Sequence, residues 1–255
     1  MDVWLVERAL VESLRRGQAL IMAGRVSVNG NPVQKAGTLI PEDALIKVKE
    51  PIKYVGRGGL KLEGALDQFK INPSGLVCAD IGAAIGGFTD CLLQRGASRI
   101  IAIDVGYGQL AWKLHTDPRV IVLDRVNIRQ LQSLEYLVDL ATIDVSFISL
   151  TMVLPVVKKL LQPWGQVVAL VKPQFEANRE QVGKGGIVRD AAVHRQVVAK
   201  IAEFGARQNW RVLGFARSRV PGADGNVEFF IHLTQDEMLT GIDWQKELDI
   251  LIPSI

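Results

Sequence analysis

The sequence predicts an α/β protein: a mostly parallel sheet of seven strands built around a glycine-rich turn, preceded by a small α+β module. Three observations carry that prediction. The apolar run Leu76-Val77-Cys78-Ala79-Asp80-Ile81 leads straight into Gly82-Ala83-Ala84-Ile85-Gly86-Gly87, with a helix-like segment, Phe88 to Gln94, behind it. Further short apolar runs then alternate with helical segments, the pattern of parallel strands joined by crossovers. Charge, finally, divides the chain. Residues 1–61 hold ten Lys or Arg against six Asp or Glu, a net of +4, whereas the remainder holds 20 against 21.

The length of 255 residues suits two domains. The first turns carry acidic residues and no apolar core ahead of a cleavage site, which argues against a signal peptide. The longest uncharged, mostly apolar run, Val145 to Val157, is too short to span a bilayer. The expected location is therefore the cytoplasm. Cys78 and Cys91 have no Cys/His set at metal-ligand spacing around them and are read as small buried hydrophobes, with no metal expected.

Residues 1–50 form the first expected domain. Val3 to Ser13 repeats apolar residues at three- and four-residue steps, and a second helical run, Leu14 to Ala23, ends at Gly24. Arg25-Val26-Ser27-Val28 alternates, Asn29-Gly30 supplies a tight hairpin turn, and Ala44 to Val48 is a further strand. Leu5-Val6-Glu7-Arg8 and the run from Ala19 to Gly30 resemble the S4 RNA-binding domain. That resemblance, with the excess positive charge, makes Arg8, Arg15, Arg16, Arg25 and Lys35 candidate RNA contacts.

A linker is expected over 51–57, with Pro51 in it, and a second domain over 58–255. After the glycine turn, the strand Arg99 to Ile103 ends in Asp104, 22 residues beyond Gly82, where a nucleotide-type fold sets a carboxylate against ribose hydroxyls. Strands follow at 120–123, 140–143 and 166–171, with a helix from Thr151 to Leu161 between the last two. A helix from Val193 to Gln208 precedes strands 211–216 and 227–233, joined by a Pro/Gly turn. The glycines are spaced G-x-x-x-G-G rather than the G-x-G-x-x-G of a dinucleotide-dependent dehydrogenase. A ligand with one adenosine and an amino-acid tail has no pyrophosphate to wrap, so the methyltransferase reading fits better than the dehydrogenase one.

A longer resemblance covers nearly the whole chain in order. Tyr54 to Leu62, Asp80 to Asp90, Asp104 to Leu110, Asp144 to Ser149, Val171 to Glu176 and Gly183 to Asp190 are similar to the TlyA-type rRNA methyltransferases. These combine an S4 domain with an FtsJ-like domain, and some are labelled hemolysins. The resemblance implies a Rossmann-like class I methyltransferase fold, S-adenosylmethionine as cofactor, ribosomal RNA or ribosomal subunits as partner, and methylation of a ribose 2′-hydroxyl, typically of cytidine. It implies a Lys–Asp–Lys–Glu catalytic set at Lys61, Asp144, Lys172 and Glu228. The candidate cofactor contacts are Asp80, Gly82, Gly86, Gly87, Phe88, Asp104, Asn127 and Asp144.

Those residue types suit the chemistry. A ribose hydroxyl is a weak nucleophile and needs its proton taken or its growing charge stabilised. Lys172, at the end of a buried strand, is expected to do this if desolvation makes it less basic. Asp144 and Glu228 would orient the lysines, and Lys61 would hold ribose or phosphate. Two departures from the family pattern stand out: Ala84-Ile85 replaces Ser-Thr in the glycine loop, and Gly56 replaces a serine before Arg57. They motivate an alternative, an RNA-binding assembly factor of weak or no activity. A membrane-lytic protein is a third reading, suggested only by the hemolysin label.

Overall fold

The structure, a computed structural model, describes all residues except 23, 34, 50–52, 223–224 and 254–255. The chain divides into two compact units, residues 1–53 and 54–255. Ala23, the expected end of the second helix, and residues 50–52, around the start of the expected linker, lie outside the described residues. Residues 54–57 differ from the linker expectation. They belong to the second unit, because Tyr54 is buried in its core and Arg57 already starts a helix.

In the first unit, α1 (Asp2–Glu7) and α2 (Leu14–Met22) accompany a three-stranded antiparallel sheet, ordered β2 (Asn31–Pro32), β1 (Val26–Val28), β3 (Ile46–Val48). Asn29 and Gly30 both take positive φ, as the tight hairpin requires, and Val28 pairs with Asn31. The first helix is shorter than the expected Val3–Ser13. Ala9 turns left-handed (φ 53°), and Leu10 and Val11 both donate to Leu5 O instead of continuing the ladder. A small core of Leu5, Val11, Leu20, Ile21 and Val26 forms where α2 approaches α1 at Gly17.

The second unit is a seven-stranded sheet ordered β6-β5-β4-β7-β8-β10-β9. Its strands are β4 (Val77–Ile81), β5 (Arg99–Ile103), β6 (Val120–Leu123), β7 (Val138–Ile143), β8 (Leu161–Val171), β9 (Arg211–Arg217) and β10 (Phe229–Thr234). All pairs are parallel except those of β10 with β8 and β9. Six of the seven strands, with α4 (Gly87–Gln94), α6 (Leu150–Leu160) and α8 (Ala191–Arg207), follow the sequence expectation within two residues. β8 starts five residues before the expected 166, because Leu161 already pairs with Val138 ahead of an irregularity in the register. β10 begins later than the expected 227, since Asn226 and Glu228 carry loop bonds instead, Gly222 N to Asn226 O and Ser218 N to Glu228 O.

Four helices were not legible: α3 (Arg57–Phe69), α5 (Trp112–His115), α7 (Pro173–Glu176) and α9 (Trp244–Leu251). Of these α3 matters most. Its Leu62 and Leu66 are fully buried, each contributing roughly 1.5–3 kcal/mol. It packs against α4 so closely that a Cβ on Gly87 would lie 3.0 Å from Gly59 N. The chain leaves β4 for β5 on one side and meets β7 on the other, so the crevice at the strand ends opens beside β4.

Candidate active site

The sheet register assembles the four candidate catalytic side chains. Asp144 follows β7 and Lys172 follows β8. Phe229 pairs with Val171, so Glu228 and Lys172 are the next residues outward on the two antiparallel chains. Lys61 reaches the same point from α3. Lys61 Nζ donates to Glu228 Oε2 at 2.5 Å, and both side chains are buried, Glu228 almost completely. Lys172 Nζ lies 2.7 Å from Asp144 Oδ1 and donates to Ser146 Oγ at 3.0 Å. Two lysine–carboxylate pairs thus face one cleft of about 290 Å³, which Arg57 and Gln174 also line.

A second cavity, of about 580 Å³, adjoins the cleft and shares Asp144 and Ser146 with it. Gly82, Asp104 and Asn127 line it with the apolar Ile128, Met152 and Phe175. Asp104 accepts from Ala84 N at 2.8 Å and Gly106 N at 2.7 Å while staying half-exposed, so its free lone pairs can still receive hydroxyls. Asn127 Oδ1 accepts from Arg129 N and caps a short 3-10 turn. Gly82 has to be glycine: its φ is 85°, and a Cβ there would lie 2.4 Å from Asp144 O. Gly87 and Phe88 line a smaller recess of about 180 Å³ beside the same loop. The charges divide between the two main spaces. Asp104 and Asp144 against Arg129 make the larger cavity acidic, while Arg57, Lys61 and Lys172 outnumber Asp144 and Glu228 in the cleft.

Three sequence-predicted contacts have other work. Asp80 is fully buried and lines none of these spaces; its Oδ2 accepts from Thr89 N at 2.8 Å and Thr89 Oγ1 at 2.6 Å, fixing the start of α4. Burial, opposed by the Thr89 bond, pushes its carboxyl up to about 7. Gly86 also stands off the cavities. Its φ of 95° and the approach of Leu114 and Leu110 demand glycine there, so the need is backbone and packing rather than ligand approach. Arg8 is turned into its own unit: its guanidinium donates to Ala44 O and Glu42 O and stacks 4.6 Å over Trp4. Arg15, Arg16 and Lys35 are exposed and Arg25 is half-buried.

The two family departures meet in space. A Cβ on Gly56 would sit 2.6 Å from Ile85 Cδ1, so glycine at 56 makes the room that isoleucine at 85 takes. An apolar contact replaces hydroxyls at this lip. Sequence reasoning missed Ser146, the partner of Lys172, and Phe147, which is 90% exposed at the cavity mouth with φ 62° and packs 4.8 Å from Phe175. A bulky residue in a left-handed conformation on a surface is a candidate contact, although only the backbone angle reveals it.

Comparison with known proteins bears on both units. The S4 domain family model matches residues 1–46, and the FtsJ-like methyltransferase model matches residues 54–235. YqxC, a candidate rRNA methyltransferase of Bacillus subtilis (strain 168), is 48% identical over 237 residues, 91% of this chain and 84% of that protein. The 16S/23S rRNA (cytidine-2′-O)-methyltransferase TlyA of Mycobacterium tuberculosis is 43% identical over 237 residues, 91% of this chain and 88% of its own. A solved structure of a candidate hemolysin from Streptococcus thermophilus superposes with a TM-score of 0.77 at 41% identity, covering 98% of this chain and 93% of that one.

Proposed function

The chain belongs to the FtsJ-like methyltransferase family and carries an S4 domain, and from that premise we propose that it methylates a ribose 2′-hydroxyl of ribosomal RNA, at cytidine, using S-adenosylmethionine. The observation that carries the reading is the acidic cavity joined at Asp144 to a basic cleft with two lysine–carboxylate pairs. TlyA of M. tuberculosis, named for cytidine 2′-O-methylation of 16S and 23S rRNA, supports the choice of substrate.

The cavity fits the cofactor. Its volume lies within the roughly 300–1,000 Å³ of small-molecule pockets. Apolar walls at Ile128 and Met152 suit a purine, and the two carboxylates suit ribose hydroxyls and a cationic tail. Gly82, Asp104, Asn127 and Asp144 would hold it, with Gly87 and Phe88 behind the loop. S-adenosylmethionine supplies a methyl group on a cationic sulfur, open to attack by an oxygen nucleophile. The protein's task is then alignment and electrostatics.

Lys172, held in position by Asp144 and Ser146, acts in one of two ways: as the neutral amine it takes the proton of the 2′-hydroxyl, and as the ammonium it balances the charge that grows on that oxygen. Lys61, fixed by Glu228, presents a second cation to the adjoining phosphate or ribose, and Arg57 extends that basic edge. Phe147 offers an apolar face on which a base unstacked from the RNA can rest. No helix among the described residues is long and apolar enough to cross a membrane. Ribosomal subunits as the partner and the cytoplasm as the place of action follow from the substrate.

Two expected results test the division of labour. Asp104→Ala should weaken cofactor binding by about 1.5–3 kcal/mol, the range for a hydrogen bond to a charged group, read by calorimetric titration. An unchanged affinity would remove Asp104 from the cofactor site. Arg15→Ala with Arg16→Ala, in the full-length chain, should weaken rRNA binding and flatten its salt dependence by roughly 0.7–0.9 log units per lost phosphate contact. Cofactor affinity should stay the same. An unaltered salt slope would mean these arginines touch no phosphate. Transfer of labelled methyl from S-adenosylmethionine to purified rRNA tests the activity itself.

A further inference from the structure

Among the buried carboxylates that this mechanism leaves unused, Glu176 stands at the wall of the site. Glu176 ends α7 and is 6% exposed. Its Oε1 accepts from Leu150 N and its Oε2 from Ser149 Oγ, both at 2.6 Å. These are the first residue and the N-cap of α6, so a side chain from another element caps that helix. Lys200 of α8 donates to Glu176 O at 2.8 Å and holds Nζ 3.7 Å from Oε2, supplying the counter-charge a buried carboxylate needs.

Residues 144–149 wall the cavity, and Asp144 and Ser146 among them line the cleft as well. One end is tied by Asp144 N to Ile81 O and by the contacts of Lys172. Between the ends lies Phe147 in its left-handed conformation, which costs energy and persists only where surroundings enforce it. The other end is tied by Glu176, the one charged side chain among the described residues that bonds to it.

We propose that Glu176 is a positioning residue: by clamping Ser149 and Leu150 it fixes this wall, and so aligns the cofactor cavity with Asp144 and Lys172. The proposal rests on the reading of these spaces as cofactor and substrate sites. What it requires of residue 176 is reach, more than charge. Glutamine keeps the reach, with an oxygen for Leu150 N and an amide that can donate to Ser149 Oγ. Aspartate keeps the charge but is one methylene short.

The test uses full-length Glu176→Ala, Glu176→Gln and Glu176→Asp. Cofactor Kd is read by calorimetry, and kcat and RNA KM by methyl transfer. Alanine is expected to raise the cofactor Kd and lower kcat by about tenfold or more each, with RNA KM moving less, as for lost alignment. Glutamine should stay within about threefold of the parent and aspartate should lose most of what alanine loses. Alanine with the parent's Kd and kcat overturns the clamp. So does the reverse order, aspartate active and glutamine impaired, which would mark a role for charge alone. Should alanine not fold, aspartate against glutamine still decides. If the parent transfers no methyl to RNA, the proposed function fails while the Kd series still reads the clamp.

Discussion

Replacing Lys172 with alanine is expected to cut methyl transfer by about a hundredfold or more, the range for a positioned proton-transfer group. Cofactor and RNA affinities should change by no more than about threefold, because the interaction strengthens mainly in the transition state. The geometry behind this is the 2.7 Å approach to Asp144 and the bond to Ser146, which hold the ammonium at the meeting of cavity and cleft. Lys172→Arg separates two roles. Arginine keeps the charge but gives up no proton at working pH, so a base role predicts failure and a charge-balancing role predicts partial rescue. Near-normal turnover in the alanine variant would remove Lys172 from the mechanism.

The second large effect falls on stability as well as rate. Glu228→Ala leaves the Lys61 ammonium buried without its partner, and is expected to destabilise the second unit by about 3–5 kcal/mol in chemical denaturation. Methyl transfer should fall too, since Lys61 loses its fixed position. The double replacement Lys61→Met with Glu228→Leu should recover most of the stability, because a well-packed apolar pair can substitute for a buried ion pair. It should not recover the rate. Recovery of both would reduce Lys61 and Glu228 to a packing element; loss of neither in Glu228→Ala would mean the pair contributes little.

Much of this architecture is written in local pattern. The strands β4 to β7 and the last part of β8, Val167–Val171, are mostly apolar because both faces of a parallel sheet are covered, and their ends lie where Asp104, Asp144 and Lys172 fall in the sequence. Asn29-Gly30 announces its hairpin by backbone preference alone. What stayed hidden depends on contacts between distant segments. α3 begins in a glycine-rich stretch with poor helix propensity, and only its packing on α4 and β9 makes it a helix; Lys61 on its buried side is the one charged residue of that face. Gly86 and Gly82 look alike in the sequence, yet Leu110 and Leu114 claim the space at one and the Asp144 backbone at the other. Arg8 looks like its basic neighbours until the 42–44 carbonyls come round to meet it. Gly56 and Ile85 read as two separate departures and turn out to be one contact.

The central claim is that the two lysine–carboxylate pairs direct methyl transfer to a ribose oxygen. Its most direct measurement is mass analysis of nucleosides from rRNA incubated with this protein and methyl-labelled S-adenosylmethionine, digested to completion. The account predicts labelled 2′-O-methylcytidine, lost when Lys172 is replaced by alanine. Label on a base, or no label in rRNA under conditions where the cofactor is bound, would contradict it.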